Sequence, residues 1–178
     1  MPKIYKEQNV LDAALDRLRY VFERFEGVYF SVSGGKDSSV MVQLAERVAA
    51  ELDRSYDVLY IDFEAQYART IEHIEELKQL PHIGRFYHVA LPMALRNALS
   101  MLQPKWICWD ESCRDMWVRE LPDDAITLRN CPWDWYRPGE EFEEKGRDLP
   151  EGVEAAKLLV QYGYDCLDVD VGSYDAWW

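Results

Sequence analysis

The chain has 178 residues, of which 48% are hydrophobic and 30% charged, and its formal net charge is −13. This length and composition fit one globular domain with its own core, and no apolar run approaches the length of a membrane span. The negative charge disfavours direct DNA binding, because an acidic surface repels a phosphate backbone.

Helical and strand patterns alternate along the first hundred residues. Leucine and phenylalanine at three- and four-residue spacing predict a helix over 10–25, with Asn9 as its N-cap and Gly27 as its stop signal. Apolar and aromatic runs predict strands at 28–32, 57–61 and 86–91. Further helices are predicted at about 38–52, 66–79 and 94–102. This alternation predicts right-handed βαβ units and a mostly parallel sheet, which is an α/β fold class.

Periodicity weakens after Pro104. Residues 106–138 are aromatic, charged and interrupted by prolines, and we expect an irregular insertion or lid there. Five of the seven tryptophans lie between Trp106 and Trp135, which predicts dense packing or aromatic surface offered to a ligand or partner. A last helix is predicted over 151–161. We therefore expect a single domain over 1–178, with a core at about 10–104, an aromatic insertion at about 105–150, and a helix and tail at 151–178.

The loop Ser33–Ser38, between the first strand and the helix after it, is the strongest functional signal. Ligands of open α/β sheets bind at the carboxyl ends of the strands. The two glycines of the loop allow a tight turn and a close approach, and the helix that follows directs its free N–H groups at the same place. Its serines add hydroxyl donors, Lys36 adds a mobile charge, and Asp37 is placed to hold a Mg²⁺ water or to cap the helix. The loop therefore predicts a phosphate site.

The hexapeptide Ser-Gly-Gly-Lys-Asp-Ser after an apolar strand resembles the PP-loop of the N-type ATP pyrophosphatase, or adenine nucleotide α-hydrolase, superfamily. Residues 28–44 look most like its phosphoadenosine phosphosulfate (PAPS) reductase branch. Residues 58–62 with Thr70 are similar to the second motif of that branch, although Phe63 and Glu64 replace its Thr-Gly. Other segments resemble a subgroup encoded by phages and mobile elements, at 61–67, 95–97, 103–110 and 117–119.

The resemblance implies a three-layer fold with helices on both faces of the sheet. It implies ATP or PAPS as the ligand, Mg²⁺ as a further candidate, and catalytic roles for Lys36 and Asp37. It implies PAPS reductase-like or ATP pyrophosphatase-type transferase chemistry, with a ParB/sulfiredoxin-like protein or a second copy of the chain as partner. The nucleotide-binding residues that it implies are Ser31, Ser33, Gly34, Gly35, Lys36, Asp37, Ser38, Asp62 and Glu64.

Two further groups of polar residues have alternative interpretations. Asp62 and Glu64 follow the second strand, where a carboxylate accepts a ribose hydroxyl or, alternatively, caps the helix near Gln66. Guanidinium forks suit tetrahedral anions, whereas most arginines of an acidic chain pair with surface carboxylates. The surface pairing is expected for Arg129. Candidate ligands of a substrate sulfate or phosphate are Arg96, Lys105 and Arg119.

The four cysteines, Cys108, Cys113, Cys131 and Cys166, fit free thiols in a reducing compartment, and residues 1–7 lack a signal-peptide core, so a cytoplasmic location is expected. The nucleophile motif of PAPS reductases, Glu-Cys-Gly-(Leu/Ile)-His, is absent from the sequence, and acidic neighbours disfavour a thiolate at Cys166. Without paired C-x₂-C spacing, no metal site is predicted. The functional alternatives are an enzyme that works with a partner, a non-catalytic nucleotide-binding regulatory subunit, and a component of a phage or DNA-modification system.

Overall fold

The computed structural model of the chain describes residues 7–96, 102 and 105–133. Nine elements follow one another in this part of the chain. They are α1 (Val10–Arg24), β1 (Tyr29–Val32), α2 (Lys36–Leu52), β2 (Tyr56–Ile61), α3 (Ala68–Leu77), β3 (Ile83–Val89), β4 (Met93–Arg96), β5 (Lys105–Cys108) and a 3₁₀ helix (Glu111–Met116). None of the helices within the described ranges is long and apolar enough to cross a membrane.

The central sheet has the order β1-β2-β3, and all its pairings are parallel. The α/β class with a parallel sheet, predicted from the alternation of elements, is confirmed. Val32 lies opposite Tyr60, and Ile61 lies opposite Val89, so the three strands end at one edge. Beyond β3, Ile126 forms a further parallel bridge to Val89 and extends the sheet by one short pairing.

The main core lies between one face of this sheet and the three α-helices. Phe22 has no exposed surface and meets the rings of Phe30 and Tyr56. Burying a side chain of this kind contributes about 1.5–3 kcal/mol. The described helices thus form one of the two helical layers that the resemblance implies. The core residues are Leu15, Phe22, Phe30, Val32, Val42, Ala45, Val48, Ala49, Tyr56, Val58, Tyr60, Ile74 and Leu77.

The ends of α1 show how local signals and distant contacts combine. Asn9 is the N-cap, as predicted, because its side chain accepts a 2.8 Å hydrogen bond from the N–H of Asp12. At the other end, the Arg54 guanidinium donates to the carbonyls of Phe22, Phe25 and Glu26 at 2.6, 3.0 and 2.8 Å. These bonds satisfy carbonyls that a helix end leaves unpaired.

The helix predicted over 94–102 is wrong where the structure describes it, because Met93–Arg96 is strand β4. This strand pairs antiparallel with β5, inside the segment predicted to be irregular. The pairing lets Met93 and Leu95 pack on a second apolar cluster, whose buried members are Ala90, Cys108, Trp109 and Ala125. Burial against a distant segment therefore overrides the local helical spacing.

Between residues 109 and 133, where the structure describes the rest of the aromatic segment, there is little regular structure apart from the 3₁₀ helix and the bridge at Ile126, as predicted. The predicted helix over 151–161, the tail and Cys166 lie outside the described residues.

Candidate functional site

The Ser33–Ser38 loop joins β1 to α2 at the carboxyl edge of the sheet. Gly34 has φ +75°, in the left-handed region that favours glycine. A Cβ atom built on Gly34 would lie 2.5 Å from Cγ2 of Thr70, on α3. Glycine is therefore required at this position for two reasons, its backbone conformation and the close approach of α3.

Hydroxyl groups brace the loop from inside. The N–H of Ser33 donates to Oγ of Ser38 at 3.2 Å, and the N–H of Gly35 donates to Oγ of Ser33 at 3.3 Å. Oγ of Ser38 in turn donates to the Gly35 carbonyl at 3.1 Å. Gly35 is the N-cap of α2 and provides no side-chain cap. The first-turn N–H groups and the positive end of the helix dipole are consequently available to an anion.

Lys36 and Asp37 are the two charged residues of the loop, and both are almost fully exposed, with 87% and 89% of their side chains accessible. Their ammonium and carboxylate groups lie 2.7 Å apart. An exposed pair of this kind is worth about 0–1 kcal/mol, so an arriving phosphate can separate it at little cost. Ser31 is also exposed, on the sheet face opposite the core residues Phe30 and Val32.

Helix α3 supports the loop from behind. Oγ of Ser39, in the first turn of α2, donates to the Gly35 carbonyl at 2.8 Å and lies 2.7 Å from Nε2 of His73. Nδ1 of His73 lies 3.7 Å from the Glu76 carboxylate. The His73 side chain is half-buried and contacts the helix that carries the loop. No local pattern marks this contact, because its partners are distant in the sequence.

The second predicted part of the site, Asp62 and Glu64, is buried instead of open. Asp62 has no exposed surface, and its carboxylate accepts hydrogen bonds from Nε2 of His88 at 2.7 Å, from the N–H of Glu64 at 2.8 Å and from the Arg119 guanidinium. Burial acts to raise the pKa of Asp62, but the hydrogen bonds from His88 and Arg119 outweigh it and lower the pKa below its ordinary value.

Glu64 attaches a later part of the chain to this edge. Its Oε2 accepts from the N–H of Trp109 at 2.8 Å, and its Oε1 accepts from the N–H of Val118 at 3.2 Å. Its carbonyl accepts from Nε of Arg119 at 3.0 Å, and the indole N–H of Trp109 donates to the Asp62 carbonyl at 2.8 Å. We call residues 109–119 the docked segment.

The alternative role of Asp62 and Glu64 as caps of α3 is wrong, since the N-cap is Tyr67 without a side-chain bond.

The buried network continues through residues that sequence reasoning missed. Lys78 lies 3.0 Å from Nδ1 of His88 and donates to carboxylates of Asp124 at 2.8 Å and Glu75 at 2.7 Å. Because the ammonium only donates, Nδ1 of His88 accepts and Nε2 carries the hydrogen directed at Asp62. Burial acts to raise the pKa of Asp124, but Lys78 outweighs burial and lowers it. The only local sign of this network in the sequence is a histidine, His88, near the end of β3.

The predicted anion ligands have different surroundings. Arg96 and Lys105 are register partners in the β4–β5 pair, so their backbones lie side by side. Arg119 contacts Asp62 and the Glu64 carbonyl, and its guanidinium stacks 4.8 Å from the Trp109 ring centre. The anion-binding role of these residues stays a prediction. Arg129 pairs with Glu111 at 3.0 Å on the surface, which confirms the interpretation of that residue.

The described cysteines are free thiols. Cys108 is fully buried, and burial raises its pKa to about 11. Cys113 and Cys131 are half-buried.

Among the residues with described positions, no group of three or more His, Cys, Asp or Glu is arranged to hold a metal ion. A groove of about 400 Å³ is lined by residues that include Arg114, Asp123 and Arg129, and by none of the residues of the loop.

Comparison with known proteins gives one family-model match and two similar proteins. Residues 27–114 match the family model of the phosphoadenosine phosphosulfate reductase domain, a range that includes the loop, Asp62, Glu64 and Trp109. An uncharacterized Escherichia coli protein, YbdN, is 39% identical over 151 residues, which cover 84% of this chain and 36% of that protein. A cinnamate reductase of Clostridium sporogenes is 67% identical over 48 residues, which cover 25% of this chain and 7% of that protein. The chain thus spans about a third of the length of the E. coli relative and a much smaller share of the length of the cinnamate reductase. No solved structure matches it.

Proposed function

We propose that this chain, whose residues 27–114 match the PAPS reductase domain, binds an adenine nucleotide, PAPS or ATP, with its phosphates on the Ser33–Ser38 loop. One observation carries the proposal. The loop combines an uncapped N-terminus of α2 with an exposed ammonium group on Lys36, at the edge where sheets of this class bind ligands. The exposed carboxylate of Asp37 is suited to hold a water of a nucleotide-bound Mg²⁺.

The loop would contribute positioning and charge neutralisation to the chemistry. With ATP, a nucleophile would attack the α-phosphorus and pyrophosphate would leave, while Lys36 and the helix N-terminus stabilised the charge on the leaving group. With PAPS, a thiolate would attack sulfur and adenosine bisphosphate would leave. Both reactions require a nucleophile in addition to the loop.

The nucleophile is proposed to come from a partner, which we expect to be a second copy of the chain or a ParB/sulfiredoxin-like protein. Burial raises the pKa of the Cys108 thiol to about 11, so this thiol stays protonated near neutral pH. The same observation supports a second candidate function, a non-catalytic nucleotide-binding subunit of a larger system, of which a phage or DNA-modification system is one form. The expected location is the cytoplasm, that of the host for a phage-encoded chain.

The test combines binding with turnover. Thermal unfolding is measured with ATP·Mg²⁺ or PAPS for wild type, Lys36→Ala and Asp37→Ala. Arg47→Ala is the control, because it removes an exposed charge from the same helix far from the loop. We expect the nucleotide-induced stabilisation to vanish in both loop variants and to persist in the control. Equal stabilisation in all four proteins would show that the loop is not the site.

Product analysis then tests whether the isolated chain turns over either nucleotide. Wild-type protein is incubated with each nucleotide, with and without thiol, and AMP, pyrophosphate, adenosine bisphosphate and sulfite are followed. Turnover by the isolated chain supports the enzyme. Binding without turnover in every mixture favours the regulatory subunit or an enzyme that needs its partner.

A further inference from the structure

We infer that Glu64 is a positioning residue of the nucleotide site and acts through the docked segment, residues 109–119, which its carboxylate holds at the carboxyl edge of the sheet. This inference rests on the proposed function. It also changes the role predicted for Glu64, from a direct nucleotide ligand to the residue that holds one wall of the site.

Both oxygens of the Glu64 carboxylate are occupied by hydrogen bonds from the docked segment. Glu64 is 4% exposed, and each of its oxygens accepts a backbone N–H from one end of the segment, Trp109 at 2.8 Å and Val118 at 3.2 Å. A buried carboxylate is costly unless such donors surround it, and the N–H of the buried Trp109 is costly without an acceptor. Carboxylate and segment therefore depend on each other.

The backbone is strained on both sides of the contact between Glu64 and the docked segment. Glu64 has φ +66° and Trp109 has φ +54°, and both are non-glycine residues in the left-handed region. Such conformations persist where surrounding contacts over-determine them, and they concentrate at ligand sites and clamps. Here the strain brings a strand end and a distant turn into register for the hydrogen bonds that join them.

Glu64 and the docked segment lie at the same edge of the sheet as the Ser33–Ser38 loop. β1 and β2 are neighbours, so the loop after β1 and Glu64 after β2 lie at one edge. The inner side of the segment contacts Asp62 and Glu64, while its outer side presents Met116 and Val118, which are 69% and 64% exposed. A nucleotide whose phosphates occupy the loop has the neighbouring strand end, and hence the segment, as its next surface.

The experiment uses Cys108 as an internal reporter of docking. This thiol is fully buried directly before Trp109, so alkylation of its peptide, followed by mass spectrometry, reports release of the segment. In Glu64→Gln, an amide group replaces one oxygen and faces a backbone N–H. We expect Cys108 labelling to rise and nucleotide affinity to fall, each by about tenfold or more. Glu72→Gln, an exposed carboxylate paired with Arg69, is the control and should change neither quantity.

A reciprocal measurement separates positioning from general stability. Because coupling between two sites is mutual, saturating ATP·Mg²⁺ or PAPS should slow Cys108 labelling in wild type. Because any ligand of the folded state slows labelling through global unfolding, the protection supports positioning only where it exceeds the nucleotide's effect on global unfolding, which urea denaturation measures. Arg119→Lys, which removes the guanidinium fork between Asp62 and the Glu64 carbonyl, tests the same docking from the segment side and replaces Glu64→Gln if that variant does not fold.

The outcomes that overturn the inference are distinct. Faster Cys108 labelling with unchanged nucleotide affinity would show that the segment is not part of the site. Unchanged labelling in Glu64→Gln would show that the carboxylate does not hold the segment. Wild-type protein that binds neither nucleotide would overturn the proposed function, and this inference with it.

Discussion

The segments after β1 and β2 are neighbours at one edge of the sheet, and both are predicted to bind the nucleotide, yet they are built in opposite ways. In the loop after β1, Lys36 and Asp37 are almost fully exposed and the helix N-terminus is uncapped. After β2, Asp62 and Glu64 are buried and every carboxylate oxygen has a partner. A polar residue at a strand end is thus available to a ligand only when the protein has not already satisfied it.

The largest effect is expected from Asp62→Ala, because it leaves the Arg119 guanidinium and the His88 imidazole buried without their acceptor. Breaking a buried ion pair by removing one partner costs about 3–5 kcal/mol. Urea unfolding should show a loss of this size. Asp16→Ala, which removes a surface pair with Arg19, should cost about 0–1 kcal/mol. Similar losses in both variants would show that the Asp62 cluster contributes no more to the free energy of unfolding than an exposed ion pair does.

A smaller loss of stability, with loss of nucleotide binding, is expected from Gly34→Ala. The left-handed backbone costs a non-glycine residue about 1–2 kcal/mol, and the new Cβ must also displace Thr70. Gly27→Ala is the matched control, since nothing lies within 4 Å of a Cβ atom there. Unfolding by urea and nucleotide-induced thermal shifts measure the two effects. A Gly34→Ala protein that binds like wild type would contradict the tight approach between the loop and α3.

The smallest effect, a change of stability with pH, is expected from Asp62, in the buried cluster after β2. Since the folded-state pKa of Asp62 is lowered, its contribution to stability is complete above the ordinary aspartate pKa and is lost as the pH falls through the lowered value. The stability difference between wild type and Asp62→Asn should therefore shrink on acidification from pH 7 to pH 3. Urea midpoints at each pH measure it, and a constant difference over that range would contradict the assignment.

The accuracy of the sequence-based predictions follows the range of the interactions involved. The N-cap Asn9, the order of helices and strands around the parallel sheet, and the position of the loop depend on residues close in the chain, and they are confirmed. The helix predicted over 94–102 is wrong in its described part, because β4 forms only by pairing with β5. The mutual fit of Gly34 and Thr70 was likewise invisible to local patterns.

The sequence by itself therefore determined an α/β domain with a phosphate-type loop at a strand end, because apolar periodicity, glycine spacing and capping act over a few residues. Only the tertiary structure decided that Asp62 and Glu64 face inward. Their partners Arg119 and Trp109 lie 57 and 45 residues away, and nothing in the intervening pattern predicts that these groups meet. Both carboxylates are buried and hydrogen-bonded within the protein, since charge removed from water must be satisfied by the protein itself.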